Sequence, residues 1–161
     1  MKSKPLFLKY TLLFLILASI NFTYAQQTWT SKQTGNWINN STWTTSGGAT
    51  GAPPNVLGID QKVVIQNNHE VTLENVDIEL KNNSVLSIKE GGQLSLSNEV
   101  VLKDNSILSI KGGGLLSTSN GSLRLVQGSN SEFIIDGGGL DVSSNIEVFD
   151  GQLDWKNATV Y

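Results

Sequence analysis

The sequence predicts an all-β protein: a right-handed, single-stranded parallel β-helix (a solenoid) of about four coils, each with three short strands in 22–25 residues. An internal repeat carries this prediction, because residues 82–98 and 104–120 are identical at 12 of 17 positions with a shift of 22. A third copy occupies residues 130–145, and a more diverged one occupies residues 63–73. Repeats of this length cannot bury an apolar face alone, so neighbouring copies are expected to stack.

The chain opens with a predicted secretory signal peptide over residues 1–25. Three lysines precede or flank the apolar run at residues 11–20, and Thr23-Tyr24-Ala25 places small residues around a cleavage point after Ala25. The uninterrupted apolar run is shorter than the ~20 residues of a membrane-spanning helix. We therefore expect a mature chain without an integral membrane span, secreted or held at the outer cell surface. Loss of the leader lowers the formal net charge from −3 to −6.

Residues 26–60 do not repeat and are predicted to form an irregular N-terminal cap. The segment contains Trp29, Trp37, Trp43 and the pair Pro53-Pro54. An open end of a β-helix exposes unpaired strand edges, so bulky apolar side chains are expected to cover it. Exposed aromatic rings can also stack on sugars. The three tryptophans are therefore the candidate glycan-binding residues as well as the candidate cap.

Residues 61–161 are predicted to form the coils, of which the last is incomplete. Within each copy, apolar residues alternate with small or polar ones, which indicates a strand with one buried face. Aligning the copies gives two inward columns for each of the three strands. The columns are Val63, Leu86, Leu108, Phe133; Ile65, Ile88, Ile110, Ile135; Val71, Leu94, Leu116, Leu140; Leu73, Leu96, Thr118, Val142; Ile78, Val100, Leu123, Ile146; and Leu80, Leu102, Leu125, Val148.

The turns repeat with the strands. Glycine pairs recur at one corner and asparagines at two others, and both residue types tolerate left-handed backbone. They are Gly91-Gly92, Gly113-Gly114 and Gly138-Gly139; Asn98 and Asn120; and Asn83, Asn105 and Asn130. A leucine-rich repeat has a similar length, but no segment here has helical spacing, and paired glycines stand where that repeat needs leucines.

Composition excludes several classes of function. The chain has no cysteine, which rules out disulfide scaffolds, iron–sulfur clusters, cysteine zinc sites and cysteine nucleophiles. The net charge is negative and Arg124 is the only arginine, so a nucleic-acid partner is not expected. His69 is the only histidine and is predicted to be an exposed turn residue. No cofactor, metal ion or catalytic residue is expected.

Charged residues on the outer side of the third strand offer the best place to look for catalysis. Asp77 and Glu99 stack as like charges and could share a cation, although two carboxylates alone make a poor calcium site. Arg124 lies one coil from Glu147, and we expect these two residues to form a cross-strand ion pair. The pattern favours a solvated charged face over an active site.

Small hydroxyl-bearing residues form columns on the outer sides of the first two strands. They are Ser87 and Ser109 on the first strand, and Thr72, Ser95 and Ser117 on the second. Flat ladders of this kind suit packing against another domain or, as a remote alternative, ice binding. Val64, Ile134 and Asp141 interrupt the ladders, which disfavours the second use.

The N-terminal half carries a recognisable series of motifs. In chain order these are Trp29-Thr30, Gly35-Asn36-Trp37, Ser41-Thr42-Trp43, Pro53-Pro54, Asp60, Val63-Val64-Ile65 and His69-Glu70-Val71-Thr72-Leu73. The series resembles the opening of secreted flavobacterial (Bacteroidetes-type) surface proteins and the N-terminal part of the eight-glycine domain family. The similarity covers about residues 28–98. It implies the first unit of a longer extracellular β-helix used in adhesion or polysaccharide contact, and it assigns no catalytic residue.

These observations lead to one expected function and two alternatives. We expect an exported, non-enzymatic structural or adhesive unit at the bacterial cell surface, forming the N-terminal part of a longer protein. The alternatives are a carbohydrate-binding or polysaccharide-degrading β-helix whose catalytic coils lie outside this sequence and, remotely, an ice-binding solenoid. The expected partners are an extracellular polysaccharide or another surface protein. The edge of the last coil is expected to pair with further chain or with another subunit.

Overall fold

The computed structural model of this chain describes residues 25–126, 130–149 and 151–160. The predicted signal peptide at residues 1–25 therefore lies, apart from Ala25, outside the described residues. The described part is built of short strands and a single 3-10 turn at Asn40–Thr42. It contains no helix long and apolar enough to cross a membrane.

Within the described residues, eighteen strands follow one another in successive coils. The first coil holds β1 (Thr28–Ser31), β2 (Gly35–Asn36), β3 (Trp43–Ser46) and β4 (Val56–Leu57). Four complete coils follow, with β5 (Lys62–Ile65), β6 (Glu70–Leu73), β7 (Ile78–Leu80); β8 (Val85–Ile88), β9 (Gln93–Leu96), β10 (Val100–Leu102); β11 (Ile107–Lys111), β12 (Leu115–Thr118), β13 (Leu123–Leu125); and β14 (Glu132–Asp136), β15 (Gly139–Val142), β16 (Ile146–Val148). The last strands are β17 (Gln152–Lys156) and β18 (Thr159–Val160).

The strands form three sheets that run along the stacking direction. The sheet orders are β17-β14-β11-β8-β5-β1-β3 for the seven-stranded sheet, β18-β15-β12-β9-β6-β2 for the six-stranded sheet and β16-β13-β10-β7-β4 for the five-stranded sheet. Each strand of a complete coil pairs in parallel with the equivalent strand of its neighbours. The predicted all-β parallel solenoid of about four coils with three strands each is confirmed.

The six predicted inward columns lie in the predicted register. Leu86 pairs with Val63 and Leu108, and Leu94 pairs with Val71 and Leu116. Apart from Val142, Ile146 and Val148 in the last complete coil, the apolar members of these columns make one continuous buried core in which side chains of adjacent coils pack on each other. Thr118 is the polar exception, and its Oγ1 donates to the carbonyl of Gly121 at 2.8 Å, which satisfies the hydroxyl inside the core.

Residues 26–60 are more regular than their sequence indicates. Strands β1, β2 and β4 pair in parallel with β5, β6 and β7, which adds one coil to the solenoid. Strand β3 runs antiparallel to β1 and ends the seven-stranded sheet. The segment lacks the repeat, yet Trp29 falls into the column of Val63, and Leu57 falls into the column of Leu80. The first coil therefore continues the inward columns of the solenoid although its sequence does not match the repeat.

The corners use left-handed backbone at several of the predicted positions, but Asn130 has no positive φ, and at the third glycine corner the positive φ belongs to Gly137, one residue before the predicted pair Gly138-Gly139. Asn83 and Asn105 have φ values of +62° and +61°, and Gly91 has +67°. Asn98 and Asn120, at the remaining corner, are not among the described residues with positive φ. The second glycine of each pair serves a different purpose. A Cβ on Gly114 would lie 2.8 Å from the carbonyl oxygen of Lys89, so the neighbouring coil leaves no room for a side chain there.

A buried serine ladder at the entrance to the seven-stranded sheet is absent from the sequence-based prediction. Ser84, Ser106 and Ser131 are fully buried. The Oγ atoms of Ser84 and Ser106 accept the backbone N–H groups of Lys81 and Lys103 at 2.9 and 3.1 Å. The Oγ atoms of Ser106 and Ser131 are 3.3 Å apart. Each hydroxyl therefore has a hydrogen-bond partner in its own turn or in the neighbouring coil.

Candidate functional site

The three tryptophans proposed as a glycan platform lie inside the fold. Trp29, Trp37 and Trp43 are 3%, 0% and 3% exposed. The rings of Trp37 and Trp43 meet edge to face, with centroids 5.4 Å apart and planes at 77°. Trp43 Nε1 donates to the carbonyl of Trp37 at 2.8 Å, and Trp37 Nε1 donates to that of Pro53 at 3.1 Å.

The glycan-stacking hypothesis for Trp29, Trp37 and Trp43 is therefore corrected. Stacking on a sugar needs an exposed ring face, and these rings are enclosed by their own chain. Their burial is explained by the end of the solenoid, where the first coil has a neighbour on one side only. Large rings fill the space that a further coil would otherwise occupy.

A hydroxyl-lined groove lies on the outer face of the six-stranded sheet. Its floor is the column Thr72, Ser95 and Ser117, which are paired in register across β6, β9 and β12 as predicted. The groove has a volume of about 280 Å³, and its walls include Glu74 and Ser97. Adjacent strands are about 4.8 Å apart, so the groove presents evenly spaced hydroxyl groups over three coils.

The floor hydroxyls are available for a ligand. Thr72, Ser95 and Ser117 are half-buried, and no hydrogen bond of the described residues engages their side chains. The wall is held in place separately, because Ser97 Oγ accepts the N–H of Asn75 at 2.5 Å. Hydroxyl groups both donate and accept, so this groove suits a neutral, hydroxyl-rich ligand.

Arg124 links three coils on the outer face of the five-stranded sheet. Its Nε lies 2.9 Å from a carboxylate oxygen of Glu147, which confirms the predicted cross-strand ion pair. Its Nη1 lies 3.5 Å from Glu99 on the other side. The guanidinium carbon also lies 6.0 Å from the centre of the Phe149 ring. One arginine thus ties β10, β13 and β16 together across their outer surface.

A second ion-pair group lies nearer the N-terminal end of the same face. Lys103 Nζ donates to Glu79 at 2.9 Å, and Lys81 Nζ lies 3.6 Å from the same carboxylate. The hydrogen bond from Lys103 holds the pKa of Glu79 below its ordinary value, against the opposing effect of partial burial. Both groups are partly exposed to water, so they add little stability individually.

Asp77 and Glu99 do not share a cation site. Asp77 Oδ1 accepts the backbone N–H of Glu99 at 3.1 Å, while the Glu99 carboxylate faces Arg124. Each carboxylate thus has a structural partner of its own. Within residues 25–126, 130–149 and 151–160, no three acidic or histidine side chains converge as a metal ion would require.

His69 is half-buried rather than an exposed turn residue as predicted. Its Nδ1 lies 2.9 Å from Ser31 Oγ. Ser31 Oγ also accepts the N–H of Gln66 at 2.8 Å, so one serine hydroxyl connects the His69 ring to the backbone of Gln66. Ser31 is 1% exposed. The pair therefore joins β1 to the corner after β5, and its serine is out of reach of a substrate.

Sequence reasoning missed this pair because its members are 38 residues apart and lie outside the clear repeat. A small cavity of about 240 Å³ adjoins His69, lined by Thr34, Asn68, Glu70, Gly91 and Gln93. Thr34 Oγ1 accepts the N–H of Glu70 at 3.0 Å, which ties the first coil to the second at this corner.

Comparison with known proteins adds no relative. No protein-family model matches the chain, and no curated protein or solved structure matches it either.

Proposed function

We propose that this chain is an exported, non-enzymatic β-solenoid that serves as a structural and adhesive unit at the bacterial cell surface, as part of a longer protein. The leader pattern at residues 1–25 supports export. The observation that carries the structural role is the unbroken register of the inward columns through β5 to β16. Coils held in one register form a stiff unit, because each packs on both neighbours.

The surroundings of the best catalytic candidates support the non-enzymatic part of the proposal. Asp77 is bonded to backbone, Glu99 to Arg124, and His69 to the buried Ser31. A general acid or base must reach a substrate proton at hydrogen-bonding distance. Side chains whose polar atoms are already engaged in structural hydrogen bonds and ion pairs are poorly placed to transfer a proton to or from a substrate.

An activity assay on the purified mature chain tests this proposal. We expect no release of reducing ends or unsaturated products from neutral and acidic polysaccharides, and no difference between the parent chain and D77N or E99Q. Product release that falls in either variant would overturn the non-enzymatic role. Cell fractionation tests export separately. We expect the intact mass of the exported protein to match a chain that begins at Gln26.

Carbohydrate binding is the second candidate function, and the hydroxyl-lined groove favours it. We expect Ser95→Glu and Ser117→Glu to abolish retention on a neutral polysaccharide matrix, because each places a charged side chain on the groove floor. Ser46→Glu is the matched control, since Ser46 is exposed on β3, in a different sheet. Equal retention of all three variants would remove the groove from consideration.

A further inference from the structure

Strand β3 has a free edge at the N-terminal end of the solenoid. The seven-stranded sheet ends at β3, which pairs with β1 on one side and with no strand of the described residues on the other. After the buried Trp43, its residues Thr44, Thr45 and Ser46 are exposed. The strand contains no charged residue and no proline, which are the usual means of protecting a sheet edge. This edge is therefore open to a further strand.

The register of β3 on β1 determines which of its backbone groups face outward. The N–H of Lys32 donates to the carbonyl of Thr42 at 2.9 Å, in the same register as the β1–β3 pairs. Hydrogen-bonded pairs alternate along an antiparallel ladder. The C=O of Trp43 and both the N–H and C=O of Thr45 therefore point away from β1. No turn, loop or cap hydrogen bond of the described residues engages these three groups.

The surroundings of this edge carry no charge. Residues 33–59, which include β2, β3, β4 and the turns between them, contain no acidic or basic residue and no histidine. The strand at the opposite end of the same sheet, β17, contains Asp154 and Lys156, whose side chains pair at 2.9 Å. Like charges brought together across an interface oppose association. The β3 end can approach an identical end without that cost.

We propose that two copies of this chain join head to head through β3, antiparallel, about a two-fold axis at Thr45. Thr45 and Thr45 of the second copy then exchange two N–H···O=C bonds. The C=O of Trp43 faces the N–H of Gly47 of the second copy, and the symmetry makes this contact twice. Thr44 lies opposite Ser46 of the second copy, and hydroxyl pairs at such positions stabilise a sheet. The two seven-stranded sheets become one, with their inner faces on the same side.

The proposed contact does not require any buried group to become exposed. Trp37 and Trp43 close the core beside β3 and stay buried in the single copy and in the pair. The second copy meets only backbone groups and side chains that already face water. This interaction surface goes beyond the structural role proposed above, and it depends neither on export nor on carbohydrate binding.

The expected association is weak and reversible. Strand addition at a sheet edge takes its affinity from main-chain hydrogen bonds and not from the large apolar area of an obligate dimer. The side chains of β3 that meet are short and carry hydroxyl groups, so they add little apolar contact. We therefore expect a dimer with a Kd of about 0.1 mM.

A single-cysteine variant tests the geometry directly, because the chain has no cysteine of its own. Residues in a hydrogen-bonded antiparallel pair have Cα atoms about 5.5 Å apart, which lies within the range of a disulfide. We expect Thr45→Cys in the mature chain to form a covalent dimer on mild oxidation. Ser143→Cys is the matched control, since Ser143 is exposed after β15, in a different sheet. Equal cross-linking of the two variants would overturn the proposal.

Sedimentation equilibrium measures the association without a covalent bond. The mature chain should show a concentration-dependent dimer, and Thr45→Lys should weaken it at least about tenfold, because two ammonium groups then meet at the two-fold axis. Thr45→Val keeps a neutral β-branched side chain and should dimerise like the parent chain. A parent chain that stays monomeric at millimolar concentration, or a Thr45→Lys variant that dimerises equally well, would rule out pairing through β3.

Hydrogen exchange of the unaltered mature chain covers the case in which a variant fails to fold. The Thr45 amide should exchange more slowly as the protein concentration rises. The Thr44 amide, which the register directs to β1, should be protected at every concentration. Exchange at Thr45 that does not depend on concentration would contradict the proposal. Protection that appears only with an added peptide of alternating threonine and valine would assign the edge to a foreign strand and overturn self-pairing.

Discussion

The third strand of the last complete coil, β16, continues the inward columns of the third strands of the middle coils but leaves its inward side chains much more exposed. Leu102 and Leu125 are fully buried, whereas Val148, in the same column, is 45% exposed. Ile146 is 36% exposed although Ile78 in its column is fully buried. The residue types are equivalent and the register is unbroken. Burial in this fold therefore comes from having a coil on both sides, not from the inward position alone.

The first coil shows how a one-sided position can be filled from within the chain. Trp37 and Trp43 lie against the end of the core, and β3 folds back antiparallel over β1. The stabilities of these regions should differ accordingly.

Removal of the Trp37 ring should disrupt the filled end most severely. We expect Trp37→Ala to lower the free energy of unfolding by about 3–5 kcal/mol, the usual cost of deleting a buried aromatic side chain. Trp37→Phe keeps most of the packing but loses the hydrogen bond to Pro53, and about 1 kcal/mol is expected. Urea unfolding measures both. Similar losses in the two variants would show that the ring itself contributes little.

Two substitutions in one column compare the middle and the last coil directly. Leu102→Ala should cost about 2–5 kcal/mol, because it leaves a cavity between two packed coils. Val148→Ala should change stability by less than about 0.5 kcal/mol, since its side chain is already largely in water. The midpoint of urea unfolding, at constant slope, is the measurement. If Val148→Ala lowered stability as much as Leu102→Ala, burial would not depend on having a coil on both sides.

Glycine positions sharpen the comparison at the corners. A Cβ on Gly121 would clash with the backbone of Asn98 in the neighbouring coil, whereas a Cβ on Gly48 in the first coil meets nothing within 4 Å. We expect Gly121→Ala to cost about 1–3 kcal/mol through overpacking. Gly48→Ala should cost about 1 kcal/mol, because Gly48 has a φ of +80°. Thermal unfolding of the two variants should rank them in this order, and the reverse ranking would rule out crowding at Gly121.

The smallest effect concerns the ion pairs of the five-stranded sheet. The pKa of Glu79 is lowered by Lys103, so its contribution to stability is present above the ordinary value of 4.5 and is lost as the pH falls through the lowered value. Glu79→Gln should therefore cost about 0.2–1 kcal/mol at neutral pH. Acid titration of stability should show the difference shrinking below pH 4.5. A difference that persists in acid would assign the effect to packing.

The repeat explains why so much of the fold was predictable. The alternating pattern of apolar and polar residues around Leu86 and Leu108 determines where the strands lie, their register and which side chains point inward. Any shift of one residue would turn the apolar column outward. The outward column of Thr72, Ser95 and Ser117 follows from the same register. The serine ladder at Ser84 and Ser106 corresponds to an Asn-Ser pair that recurs before β8, β11 and β14, but apolar periodicity alone does not reveal it.

The remaining features depend on contacts that no periodicity encodes. Trp37 meets Trp43 within a non-repeating segment, and Ser31 meets His69 across coils. The choice between an exposed and an enclosed ring depends on where β3 folds, which is a tertiary property. The exposure of Val148 has the same origin, because sequence alone treats it like any other member of its column.

The shared register of β8 and β11 has a consequence for how such a protein changes over generations. Residues 84–105 begin and end at equivalent points of successive coils, so an in-frame duplication of those 22 residues inserts a whole coil without breaking a strand pair. Each event would lengthen the molecule by about 4.8 Å. The length of the solenoid can thus be inherited as a number of copies, while the amino acids within each copy stay the same.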